Sequence, residues 1–139
     1  MSLSIRNQFA GTVTAVTSGT AMTTVVVRLD GGQEITAAVT TDAVRDLGIA
    51  VGSAVNTLVK ATEVALATGP VEGLSIRNRI PGTVAEVAAG AAMASVKVDV
   101  RGGGLTAAVT RDAVEALGLT AGSSVTALIK STEVMLRAV

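Results

Sequence analysis

Leu3-Ser4-Ile5-Arg6-Asn7 is written twice in this chain, returning as Leu74-Ser75-Ile76-Arg77-Asn78. The same landmarks follow each copy in the same order. Gly11-Thr12-Val13 is matched by Gly82-Thr83-Val84, Gly31-Gly32 by Gly102-Gly103, and Thr36-Ala37-Ala38-Val39-Thr40 by Thr106-Ala107-Ala108-Val109-Thr110. Asp42-Ala43-Val44, Leu47-Gly48, Gly52-Ser53 and Lys60 then meet Asp112-Ala113-Val114, Leu117-Gly118, Gly122-Ser123 and Lys130. Self-similarity at a fixed offset marks a repeated structural unit. The chain therefore reads as two tandem modules, residues 1–68 and 74–139. The linker between them, 69–73, carries Gly69, Pro70 and Gly73, which suit neither a strand nor a helix interior.

Within a module the pattern is mostly β. Leu3–Gln8 and Gly11–Val16 read as strands, with Gly11 a kink or bulge between them. Extended backbone puts Ser4 and Arg6 on one side and Leu3, Ile5 and Asn7 on the other. Met22–Leu29 and Glu34–Val39 form a hairpin about Asp30-Gly31-Gly32. Thr40-Thr41-Asp42 opens a short helix, Asp42–Leu47, expected to bury Ala43, Val44 and Leu47 and to stop at Gly48. Ala54–Lys60 and Glu63–Leu66 are the last strands. The fold class this predicts is all-β with short helices, as two tandem OB-like small barrels.

Composition narrows the function classes. The chain has 139 residues, 49% of them hydrophobic, with one Phe, no Trp or Tyr, and neither Cys nor His. Modules this small bury little core and here lack disulfides, zinc ligands and large aromatics, so a homo-oligomer is expected. Eleven basic residues balance eleven acidic ones, which argues against a nucleic-acid partner. No signal-peptide pattern and no apolar run of bilayer length is present, so a cytoplasmic protein with no membrane partner is expected. At 139 residues, no attached helix-turn-helix or nucleotide-binding segment is expected.

Without His, Cys or Tyr the commonest general bases and thiol nucleophiles are missing, and an enzyme is not expected. Hydrogen-bond donors are better represented. Ser4 with Arg6, and Ser75 with Arg77, place a hydroxyl beside a guanidinium that can fork onto one oxyanion. Lys60 and Lys130 recur in both copies while most other charges do not. A lysine at a strand end ordinarily just reaches for solvent; the recurrence favours a role in binding. Thr40 and Thr110 sit where the helix begins and are expected to cap it, at a terminus whose free N–H groups also attract anions. Asn7 and Asn78 are expected to satisfy backbone groups, and Met22 and Met93 to fill core or interface.

These residues, in this order and duplicated, resemble the Mop domain of the molybdate-binding proteins called molbindins, in its tandem form. The resemblance rests on Leu-Ser-Ile-Arg-Asn, Gly-Thr-Val, Ala-Ala-Val-Thr, Leu-Gly and a late Val-Lys or Ile-Lys, and it covers nearly the whole chain. It implies an OB-like barrel per module, a homotrimer, and molybdate or tungstate bound between modules of neighbouring subunits, with no organic cofactor. It implies a cytoplasmic role in storage and homeostasis of the anion. The ligand set it implies is Ser4, Arg6, Thr40 and Lys60 with the backbone N–H groups of Ile5 and Ala61. Repeated in the second module, the set is Ser75, Arg77, Thr110 and Lys130 with those of Ile76 and Ser131. The Asn of the same motif falls on Asn7 and Asn78. Departures stand at Ala43 and Ala113, where many members carry Ser. They stand also at Met22 with Thr24, and Met93 with Ser95, where many carry Asn and Glu. The alternative reading is an OB-type nucleic-acid-binding or ligand-sensing module.

Overall fold

Alternating valines decide the architecture, because each strand turns one face to a common interior. The computed structural model describes all residues, Met1–Val139. In the first copy β1 (Asn7–Ser18), β2 (Met22–Leu29), β3 (Glu34–Thr40), α1 (Thr41–Leu47), β4 (Ala54–Val59) and β5 (Ala65–Ala67) follow in order. The second copy supplies β6 (Asn78–Ala89), β7 (Met93–Val100), β8 (Gly103–Thr110), α2 (Arg111–Leu117), β9 (Ser124–Ile129) and β10 (Met135–Ala138). Single 3-10 turns, Ala61–Glu63 and Ser131–Glu133, precede β5 and β10. Two tandem OB-like modules result, each a curled five-stranded antiparallel sheet.

The sheets do not follow the sequence repeat. Their strand orders are β10-β4-β1-β2-β3 and β5-β9-β6-β7-β8. Each module's last strand thus crosses over and closes the other module's sheet. Met135–Ala138 pairs with Val55–Leu58, and Ala65–Ala67 with Thr126–Leu128. The exchange also merges the interiors. Val13, Val25, Val27 and Ile35 of the first copy belong to the same continuous core as Val84, Val96, Val98 and Leu105 of the second. Apolar surface that a single small module could not bury is covered by its twin in the same chain.

Four local expectations are corrected. Leu3–Arg6 is not a strand: β1 begins at Asn7, opposite Val59, the last residue of β4. Beyond that pair the partner chain turns away, so the backbone of residues 3–6 has no ladder to join. Second, Gly11 lies in unbroken pairing, and the bulge falls between Val13 and Ala15. Gly11 is required because a Cβ there would lie 2.6 Å from the Arg28 carbonyl oxygen. Third, the helix buries Val44 but leaves Leu47 46% exposed. Gly48 reverses the chain in the left-handed region, and Ile49 joins the core instead. Fourth, Glu63 closes a 3-10 turn, and the strand after it is limited to Ala65–Ala67.

Where the two hairpin turns meet, their backbones touch. A Cβ on Gly102 would stand 2.6 Å from Cα of Gly31, so neither turn tolerates a side chain at that point.

Candidate functional site

The repeated motif ends in a clamp. Asn7 is 2% exposed; its side-chain amide donates to the Thr106 carbonyl oxygen (2.8 Å) and accepts from the Thr106 N–H (2.8 Å). Asn78, 3% exposed, does the same to Thr36, at 2.8 and 2.7 Å. Each asparagine acts as one extra peptide of a strand, satisfying the outer edge of β8 or β3 in the other module. Both asparagines thus serve backbone groups, as expected from the sequence.

Just before each clamp the chain joins no ladder; in the second copy only Ile76 is half-buried and Leu74 is 42% exposed, whereas in the first the alternation of sides survives. Leu3 and Ile5 are half-buried while Ser4 and Arg6 are exposed. The guanidinium folds over its own loop: Arg6 Nε donates to the Ser4 carbonyl oxygen at 2.9 Å, and Arg77 Nε to that of Ser75 at 3.0 Å. The remaining guanidinium N–H groups of Arg6 have no partner within the chain, and those of Arg77 make only a long 3.5 Å bond to the Leu74 carbonyl oxygen.

Lys60 and Lys130 stand at the first residue of each crossover, immediately before the 3-10 turns. The turn Ala61–Glu63 lies against β8, and Ser131–Glu133 lies against β3. Motif loop and lysine turn are therefore both anchored on the same strand of the opposite module, which brings them together. One open depression of about 230 Å³ is lined by Ser4, Ile5, Arg6, Lys60, Ala61 and Thr62. Its twin, about 250 Å³, is lined by Ser75, Ile76, Arg77, Lys130, Ser131 and Thr132.

Not every predicted residue joins them. Thr40 and Thr110 lie outside both depressions, at the helix starts, where their hydroxyls accept from the Ala43 and Ala113 N–H groups at 3.2 and 3.1 Å. The lysines sit beside the serine and arginine of their own copy. Thr62 and Thr132 line the depressions without having been singled out. Their repetition in Lys-x-Thr-Glu was the signal that could have found them.

The electrostatics are one-sided. The ion pairs of the molecule are Arg45–Asp42, Lys97–Glu86 and Arg111–Glu115, all exposed and away from these depressions. No carboxylate lines either depression, so Arg6, Lys60, Arg77 and Lys130 keep their charge uncompensated. A guanidinium, an ammonium and hydroxyls make a donor-rich shell for an anion of tetrahedral shape. Another hollow, about 180 Å³ between the hairpin turns, is lined by Phe9, Leu29, Ile80, Val100 and Arg101 among others, and holds none of these groups.

Comparison with known proteins agrees in kind. The TOBE domain family matches residues 3–66 and again 74–136. The molybdenum transport protein ModE of Herbaspirillum seropedicae is 41% identical over 137 residues, covering 97% of this chain and 51% of that protein. The molybdenum-pterin-binding protein MopB of Rhodobacter capsulatus is 41% identical over 135 residues, 96% of this chain and 50% of its own length. The chain thus spans about half the length of the curated relatives it matches. A crystal structure of the cytoplasmic molybdate-binding protein ModG with molybdate bound superposes with a TM-score of 0.97 at 40% identity, covering 100% of both chains.

Proposed function

The chain belongs to the TOBE domain family, in two tandem copies, and we propose that it binds molybdate or tungstate in the cytoplasm, for storage and homeostasis. The observation that carries this reading is the pair of depressions, each offering Ser, Arg, Lys and Thr with no carboxylate in the lining. Molybdate at neutral pH is a dianion without a proton to donate, so a shell rich in donors suits it. A protonated phosphate would leave its own hydroxyl without an acceptor and be disfavoured.

Ser4, Arg6 and Lys60 bind the anion in the first module, with the N–H groups of Ile5 and Ala61. Ser75, Arg77 and Lys130, with those of Ile76 and Ser131, bind it in the second. Each depression is open on one side, so an anion resting there in a lone chain would keep part of its hydration. A neighbouring copy closes it in a homotrimer, bringing Thr40 or Thr110 to the anion. Exposed apolar side chains supply a surface for that contact: Met22 is 46%, Met93 48% and Leu117 38% exposed. The role is binding rather than catalysis.

Calorimetric titration of the protein with sodium molybdate tests the reading. Saturable heat at micromolar anion is expected, with sodium tungstate behaving alike and phosphate giving none. No heat up to millimolar molybdate would overturn it.

A further inference from the structure

The two depressions match residue for residue except at one position, where the first has Ala61 and the second Ser131. Ser131 Oγ is also the one buried side-chain polar atom in the molecule without a hydrogen-bond partner. A hydroxyl withdrawn from water and left unpaired is unfavourable, and such an atom in a native fold points to a partner not yet in place. Arg77 and Lys130 beside it can only donate, so an acceptor is the group that would satisfy all three. Turning Oγ among its staggered positions needs no backbone movement.

The loop behind the second depression is also held more firmly. Arg79 Nε donates to the Ile76 carbonyl oxygen (3.0 Å), Nη2 to that of Leu74 (2.7 Å) and Nη1 to that of Val71 (3.3 Å). In the first copy Gln8 stands in its place, with a single bond from Nε2 to the Ile5 carbonyl oxygen at 3.0 Å. A loop already tied in place loses less freedom when a ligand settles on it.

We propose, resting on the oxyanion reading above, that the two sites are unequal and the second-module site fills first. Ser131 donates its hydroxyl to the anion there, and Ala61 makes the first-module site the weaker one.

Titration of the full chain with sodium molybdate, as wild type, Ser131→Ala and Ala61→Ser, tests this. The wild type is expected to give two classes of site. Ser131→Ala weakens the tighter class about tenfold without changing the number of anions bound, because one hydrogen bond to a charged ligand is removed. Ala61→Ser, a gain that a merely structural serine would not produce, tightens the weaker class. An unchanged tight class in Ser131→Ala, or one class identical in all three proteins, overturns the inequality while leaving oxyanion binding intact. No heat in any of the three overturns both.

Discussion

In the first module a glutamine at 8 and an alanine at 61 stand where the second has Arg79 and Ser131. Around these positions the two modules are nearly interchangeable. Their helices are capped by Thr40 and Thr110 and stopped by Gly48 and Gly118, and their bulges fall at equivalent places, Val13/Ala15 and Val84/Glu86. The asparagine clamps have the same partners and lengths within 0.1 Å. Duplication has kept what backbone geometry demands and all but one of the residues lining each depression, and has varied that one residue and the tether behind the loop. A buried amide clamp has only one arrangement that satisfies both strands, whereas the rim of an open depression accepts many side chains.

The largest effect should come from cutting the exchange. Deleting residues 135–139 removes β10, which belongs to the second copy by sequence but closes the sheet of the first. About 3–5 kcal/mol of stability should be lost, from several ladder hydrogen bonds and the half-buried Leu136. Hydrogen exchange should place the loss in β4 of the first module; loss of protection in β9 instead would contradict the crossed sheets.

Arg6→Ala and Arg77→Ala separate the two sites next. Each should weaken molybdate about 100-fold at its own depression only, since the forked, charge-assisted bonds go with the guanidinium. Calorimetry should show Arg77→Ala removing the tighter class and Arg6→Ala the weaker one. Equal losses in both classes from either variant would mean that the two arginines do not serve separate sites.

The smallest effect sharpens the contrast in loop tethering. Gln8→Arg copies Arg79 into the first module and should tighten its site roughly threefold, by sparing loop freedom on binding. Wild-type affinity in that variant would leave the hydroxyl of Ser131 as the sole difference that matters.

Much of this molecule was legible in the chain. Gly31-Gly32 and Gly102-Gly103 announced the hairpins, and Thr40 and Gly48 bracketed the helix within a residue. Ser4, Arg6 and Lys60 stand out together because they recur together. The misreadings share one cause. Leu3–Arg6 had the alternation of a strand but no neighbour to pair with, and Leu47 had the helical spacing of a core residue but yielded its place to Ile49. Local pattern gives preferences of side and turn; occupancy of a partner's edge or of the core is settled elsewhere in the chain.

The sequence by itself determined the repeat, the strands and turns within it, and the types of side chain that recur at the loops. These follow from short-range sterics and from alternation, which each segment carries alone. Only the tertiary structure decided that the last strands cross, and that Asn7 and Asn78 clamp the opposite module. It also decided that Lys60 and Arg6 line one depression, because loop and 3-10 turn rest on the same foreign strand, β8. In a repeat whose copies keep the same strand pattern, a strand fits both its own sheet and its twin's. The choice between them depends on the length and path of the connections, which no residue pattern encodes locally.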